Sequence, residues 1–74
     1  MPKPQPQLGN RLKVARAERS CSQEALAARV GVTRQTISAI ENRQYVPSAL
    51  LAFLLAHHLG KPVHELFFLE GAPP

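Results

Sequence analysis

Twenty residues, Gln23 to Asn42 (QEALAARVGVTRQTISAIEN), leave this chain few ways to fold. Leu26, Val30, Ile37 and Ile40 are apolar at spacings that turn them inward from two successive helices. Ala27 is small where those helices must cross. Gly31 stands where the chain leaves the first of them, and a left-handed backbone is easiest for glycine. Val32 is apolar just after the turn, and Thr33 can cap the second helix. Eight positions agree within twenty residues. Together they predict two helices crossing steeply over a tight turn, with the second helix presented outward.

The rest of the chain bounds what surrounds that unit. Seventy-four residues make one small domain. A core of that size supplies only about 3–5 kcal/mol, so association with another chain is advantageous. A single cysteine is too few for a disulfide framework or a zinc-finger set, and points to a reducing interior. Met1–Gln7 (MPKPQPQ) lacks the apolar run of a signal peptide and reads as a flexible, extended tail. The longest apolar stretch, Ala49–Ala56, is far short of the roughly 20 residues that span a bilayer. A cytoplasmic protein without a membrane partner is expected.

Charge is unevenly spread. Residues 1–43 hold eight Lys/Arg against three acids, a net +5, and residues 44–74 hold one Lys against two, a net −1. The basic half contains the two-helix unit. A one-sided positive field beside an outward helix is the footprint expected of a nucleic-acid partner.

Four segments extend the pattern: LKVARAERSCSQEALA from Leu12, RQTISAIEN from Arg34, YVPS at Tyr45–Ser48 and HELF at His64–Phe67. With these the chain resembles the Xre/Cro-like (lambda-repressor-like) family of phage and bacterial repressors, in its short single-domain form. The likeness runs from about Gly9 to Leu69. It implies an all-α, compact five-helix domain with a helix-turn-helix, a double-stranded DNA partner and a role in prokaryotic or phage transcription regulation. The expected layout is a tail over residues 1–7, the helix-turn-helix domain over 8–70 and a disordered end over 71–74.

Local signals place the helices. The first is expected over residues 10–19, with Leu12, Val14, Ala15 and Ala17 making apolar contacts. Ser22 should cap a second over 23–30, and a third should cover 34–42. Pro47 excludes a continuous helix through the connector, and Ser48 should cap a fourth that stops near Leu59 at Gly60. A short fifth over 63–67 follows Pro62. No strand is expected, apart from an extended stretch at 67–69.

With Ile37 and Ile40 inward, the third helix offers Arg34, Gln35, Ser38 and Ala39 to a major groove. Arg34 suits guanine O6 and N7, and Gln35 suits adenine N6 and N7. Ala39 can offer a methyl to thymine, and Ser38 a water-mediated contact. In the resembled family the first two positions read bases. Gln23 opens the second helix, where free N–H groups favour phosphate, and in that family this glutamine contacts the DNA backbone. Thr33, Thr36, Asn42, Arg43 and Tyr45 complete a phosphate-binding set. Arg43 replaces the family's usual glycine after Glu-Asn, losing an easy left-handed stop and gaining a cation. The alternative for each is a solvated helix face or a plain capping role. Glu41 would repel phosphate if it faced DNA, so it is expected to turn back onto Arg16 or Arg19.

Other reactive residues carry no site. His57 and His58 point about 100° apart on a helix, and no ligand set completes them or His64. Cys21 fits a turn. No cofactor, metal or catalytic constellation is expected. The fourth helix is the anomaly: ALLAFLLA (Ala49–Ala56) is apolar all round. If Leu51, Phe53 and Leu55 face inward, then Leu50, Leu54 and His57 form an outward stripe. With Phe67, Phe68 and Leu69 this stripe predicts a homodimer, which suits palindromic operators. Two rivals remain. One is an antitoxin that regulates its own operon and gives this stripe to a toxin protein. The other is a protein-interaction module on the same fold.

Overall fold

The computed structural model describes residues 5–71. Its elements are, in chain order, β1 (Gln7–Asn10), α1 (Leu12–Glu18), α2 (Gln23–Val30), α3 (Arg34–Glu41), α4 (Ala49–Leu59), α5 (Val63–Leu66) and β2 (Phe67–Glu70). Local chemistry sets most helix boundaries. Ser22, Thr33 and Ser48 take extended backbone, and their hydroxyls accept the N–H groups of Ala25, Thr36 and Leu51. Each thereby satisfies one of the four N–H groups a helix leaves unpaired at its start. Gly31 ends α2 at φ +78° and Gly60 ends α4 at φ +65°.

Gly31 has only its backbone to justify it, because nothing lies within 4 Å of where a Cβ would sit. Gly31→Ala should therefore cost about 1–2 kcal/mol, the ordinary penalty of a left-handed Cβ, with no added clash. Urea denaturation at equilibrium measures it. An unchanged midpoint would mean that the turn relaxes to another conformation.

Every helix contributes to the core, α4 most of all. Leu12, Leu26, Ile37, Ile40, Leu55 and Leu66 are all essentially inaccessible to solvent. Val30 and Val32 pack against its edge. The inward assignments for α2 and α3 are thus met in full.

The five expected helices make up most of the domain, and a small two-stranded sheet that was not expected joins them. β1 and β2 pair antiparallel, with Gln7 opposite Glu70 and Asn10 opposite Phe67. Gln7, read as tail, opens β1, and Asn10, read as the start of the first helix, closes it. Asn10 does double duty there. Its Oδ1 accepts from Leu12 N–H at 3.1 Å, and its Nδ2 donates to the Ile40 carbonyl at 2.9 Å. Helix α1 therefore begins two residues late. It also uses less of its surface: Leu12 and Ala15 are buried, but Val14 and Ala17 face solvent. At the other end Phe67 leaves α5 and starts β2. Met1–Pro4 and residues 72–74 lie outside the described residues, so most of the expected tail and end does too.

Two aromatic assignments reverse. Phe67, expected on the outward patch, is 8% exposed and belongs to the core. Phe53, expected inward, is exposed. Leu51, Leu55, Ala56 and Leu59 are the buried residues of α4. They define a face at 3.6-residue spacing that leaves Phe53 on the opposite side.

Candidate nucleic-acid interface

Helices α2 and α3 pack on each other through Leu26, Ala27, Ile37 and Ile40, and this brings their N-terminal turns together. Gln23, the first residue of α2, and Arg34, the first of α3, meet there: Arg34 Nη1 donates to Gln23 Oε1 at 3.3 Å. Gln35 is exposed beside them, while Thr36, Ser38 and Ala39 are half-buried along the same helix. Thr33 caps α3, and its hydroxyl lies 3.1 Å from that of Thr36. The two hydroxyls and the helix end form one polar edge.

Behind this edge runs a chain of hydrogen bonds. Gln23 Nε2 donates to Glu41 Oε1 at 2.9 Å. Glu41 in turn receives Arg16 Nε on Oε2 at 2.6 Å and Arg16 Nη2 on Oε1 at 3.1 Å. Arg16 Nη1 reaches the Cys21 carbonyl at 2.9 Å. Glu41 thus does turn back to Arg16, away from the outer face of α3. Arg19 instead lies across Gly60. The carboxylate dictates the Gln23 amide: its nitrogen must face Glu41, which leaves its oxygen for Arg34. One amide proton of Gln23 stays available to an outside acceptor.

The far end of α3 is also closed by a left-handed residue. Arg43 has φ +61°, its N–H bonds the Ile40 carbonyl at 3.1 Å, and Gln44 N–H bonds the Ala39 carbonyl at 2.8 Å. That pair of bonds is the Schellman ending usually built on glycine. Asn42, Arg43 and Tyr45 are all exposed at this end. Arg43 is not left to solvent alone, because its Nε binds Glu70 Oε1 at 2.6 Å. Glu70 had no role in the sequence reading, and only the pairing of β1 with β2 brings it near α3.

On α4, Leu50 and Phe53 are 71% and 62% exposed, Leu54 is half-buried and His57 is exposed. Val46 and Leu69 are exposed as well. Phe68 is half-buried, with the Arg11 guanidinium 5.5 Å from its ring centroid. The His57 and His58 rings meet edge to face at 5.3 Å. Among the described residues no group of three His, Cys, Asp or Glu is placed to hold a metal ion. Among them, too, no helix is long and apolar enough to cross a membrane.

Two paired helix starts, the second carrying exposed Arg and Gln over a left-handed turn, are the geometry of a helix-turn-helix. The helix-turn-helix family matches residues 12–66. The chain belongs to that family. It is 46% identical over 61 residues to an uncharacterized HTH-type transcriptional regulator of Bacillus subtilis, YgzD, covering 82% of this chain and 92% of that protein. A similarly named protein of Methanocaldococcus jannaschii matches to the same extent. Another, from Methanothermobacter thermautotrophicus, is 48% identical over 56 residues, covering 74% of this chain and 81% of that protein. Among solved structures, a hypothetical transcription factor from Neisseria, NHTF, superposes with a TM-score of 0.71 at 26% identity. That match covers 77% of this chain and 66% of the other. Within this helix-turn-helix protein, the matched segment holds both helix starts and the Arg16–Glu41 pair.

Proposed function

We propose that this helix-turn-helix protein is a sequence-specific, double-stranded DNA-binding transcriptional regulator. It represses in the cytoplasm by occupying a palindromic operator as a homodimer. One observation carries the reading: Arg34 and Gln35 stand exposed at the start of α3, braced by Gln23 at the start of α2. Arg34 and Gln35 read base edges, with Ser38 and Ala39 further along the groove. Gln23, Thr33, Thr36, Asn42, Arg43 and Tyr45 hold phosphates on both flanks. The names of its relatives support a regulator, and the net +5 of residues 1–43 supports an anionic partner.

The exposed side of α4 supplies the second copy. Leu50, Leu54 and His57 form its stripe and Phe53 widens it, while Phe68 lies against Arg11 on the α1 side. An exposed apolar surface of this kind, rimmed by polar residues, marks an association site.

Selection of bound duplexes from a randomised library tests base reading. Wild type should enrich two inverted half-sites, about one helical turn apart. Arg34→Ala should lose about 1–3 kcal/mol of discrimination at one base pair in each half-site, as should Gln35→Ala at a neighbouring pair. Gln23→Ala should weaken all sequences alike. Identical profiles for wild type and Arg34→Ala would remove Arg34 from the reading face.

A further inference from the structure

Among the described residues, Glu70 is an acid that holds a member of the proposed phosphate-binding set, Arg43, from outside the helix-turn-helix. Its carboxylate reaches Arg43 from the last position of β2. The reach depends on Gly9 of β1, which is buried. A Cβ on Gly9 would collide with the Glu70 carboxylate, so the absent side chain gives the acid its path over the strand. Arg43, for its part, occupies a left-handed position that glycine fills most easily, and so aims a long cation from the closing turn of α3. Two unusual placements thus converge on one ion pair.

That pair is built to open. Its side chains are 41% and 38% exposed, and a single nitrogen meets a single oxygen. Nothing else holds it: the described hydrogen bonds give neither side chain a second partner. Pairs of this kind are weak and are screened by salt. A DNA phosphate offers Arg43 an acceptor of at least equal charge, and releases counterions when it binds.

We infer that Glu70 is an internal competitor of DNA phosphate for Arg43. It sets the affinity of the protein below what its basic surface would give, without altering which sequence is read. The inference rests on the DNA-binding reading above. In the unbound protein Glu70 holds Arg43. On DNA the guanidinium transfers to phosphate and Glu70 is released to solvent.

The experiment is a double-mutant cycle on one duplex, using Glu70→Gln, Arg43→Gln and the double variant, with each fold checked by circular dichroism. Glu70→Gln should tighten binding roughly three- to ten-fold at low salt, on the scale of one exposed charge contact. The gain should be equal for operator and unrelated DNA. Arg43→Gln should weaken binding, and adding Glu70→Gln to it should recover little. Gly9→Ala, which displaces the carboxylate without changing net charge, should reproduce the gain if folded. A Glu70→Gln gain that persists in full without Arg43 would overturn the competition and leave a general charge effect. Unchanged or weaker binding by Glu70→Gln would also overturn it, showing instead that Glu70 orients Arg43 for phosphate. If wild type binds no duplex at all, the functional reading itself fails, and this inference fails with it.

Discussion

Glu41→Ala should lower folding stability by about 3 kcal/mol, toward the lower end of what breaking a buried ion pair costs. Both side chains are largely covered, Arg16 at 13% and Glu41 at 7% exposure. Removing the acid strands the guanidinium with only the Cys21 carbonyl for company. It also removes the acceptor of the Gln23 amide. In a domain of this size such a loss lowers the melting temperature on the order of 10–20 °C. Glu41→Gln should cost less, because it keeps an acceptor for Arg16 while surrendering the charge. The second consequence is functional. Without Glu41 the Gln23 amide can rotate, and Arg34 loses the oxygen that steadies it. Well below the melting point, the folded fraction of Glu41→Ala should therefore discriminate less at the Arg34 base pair. Denaturation melts and selected-sequence profiles measure the two effects separately. A stability change below about 0.5 kcal/mol would mean the pair behaves as an ordinary surface contact.

Phe53→Glu and Leu50→Glu should each give a folded monomer with much weaker operator binding. Both residues are well exposed on the side of α4 away from the core, so a charge there spares the fold. Leu54 is a poorer probe, because it is half-buried and a charge would disturb the core as well. In a two-fold dimer each substitution acts twice. Burying a Leu or Phe is worth about 1.5–3 kcal/mol, so two copies cost roughly 3–6 kcal/mol. At 1.4 kcal/mol per decade that weakens dimerisation by about a hundred-fold or more. Sedimentation at micromolar concentration, beside circular dichroism, reads the result. Wild type that sediments as a monomer would exclude the homodimer and leave the stripe for another partner. The same outcome would give weight to a toxin as the occupant.

What the residues determined by themselves was local. Ser22, Thr33 and Ser48 each bond an N–H three residues on, and Gly31 and Gly60 stop their helices by left-handed backbone. Such signals act within one turn of helix, so they can be read without knowing the fold. The inward set Leu26, Ile37 and Ile40 follows from the same short period. That Glu41 turns back toward α1 could be anticipated too, since a covered acid needs a cation, but the choice of Arg16 over Arg19 came from packing. The tertiary structure decided what long separations hide. Gln7–Asn10 becomes a strand only because Phe67–Glu70 lies beside it, with some sixty residues of chain between the two. Four residues carry no alternation strong enough to show that pairing in advance. The same pairing draws Phe67 into the core, and it brings Glu70 over Gly9 to Arg43. On α4 the pattern was blind for another reason. ALLAFLLA is apolar on every side, so periodicity cannot choose its inner face. Packing against α2 and α5 made the choice, burying Leu51, Leu55 and Leu59 and turning Phe53 out to solvent.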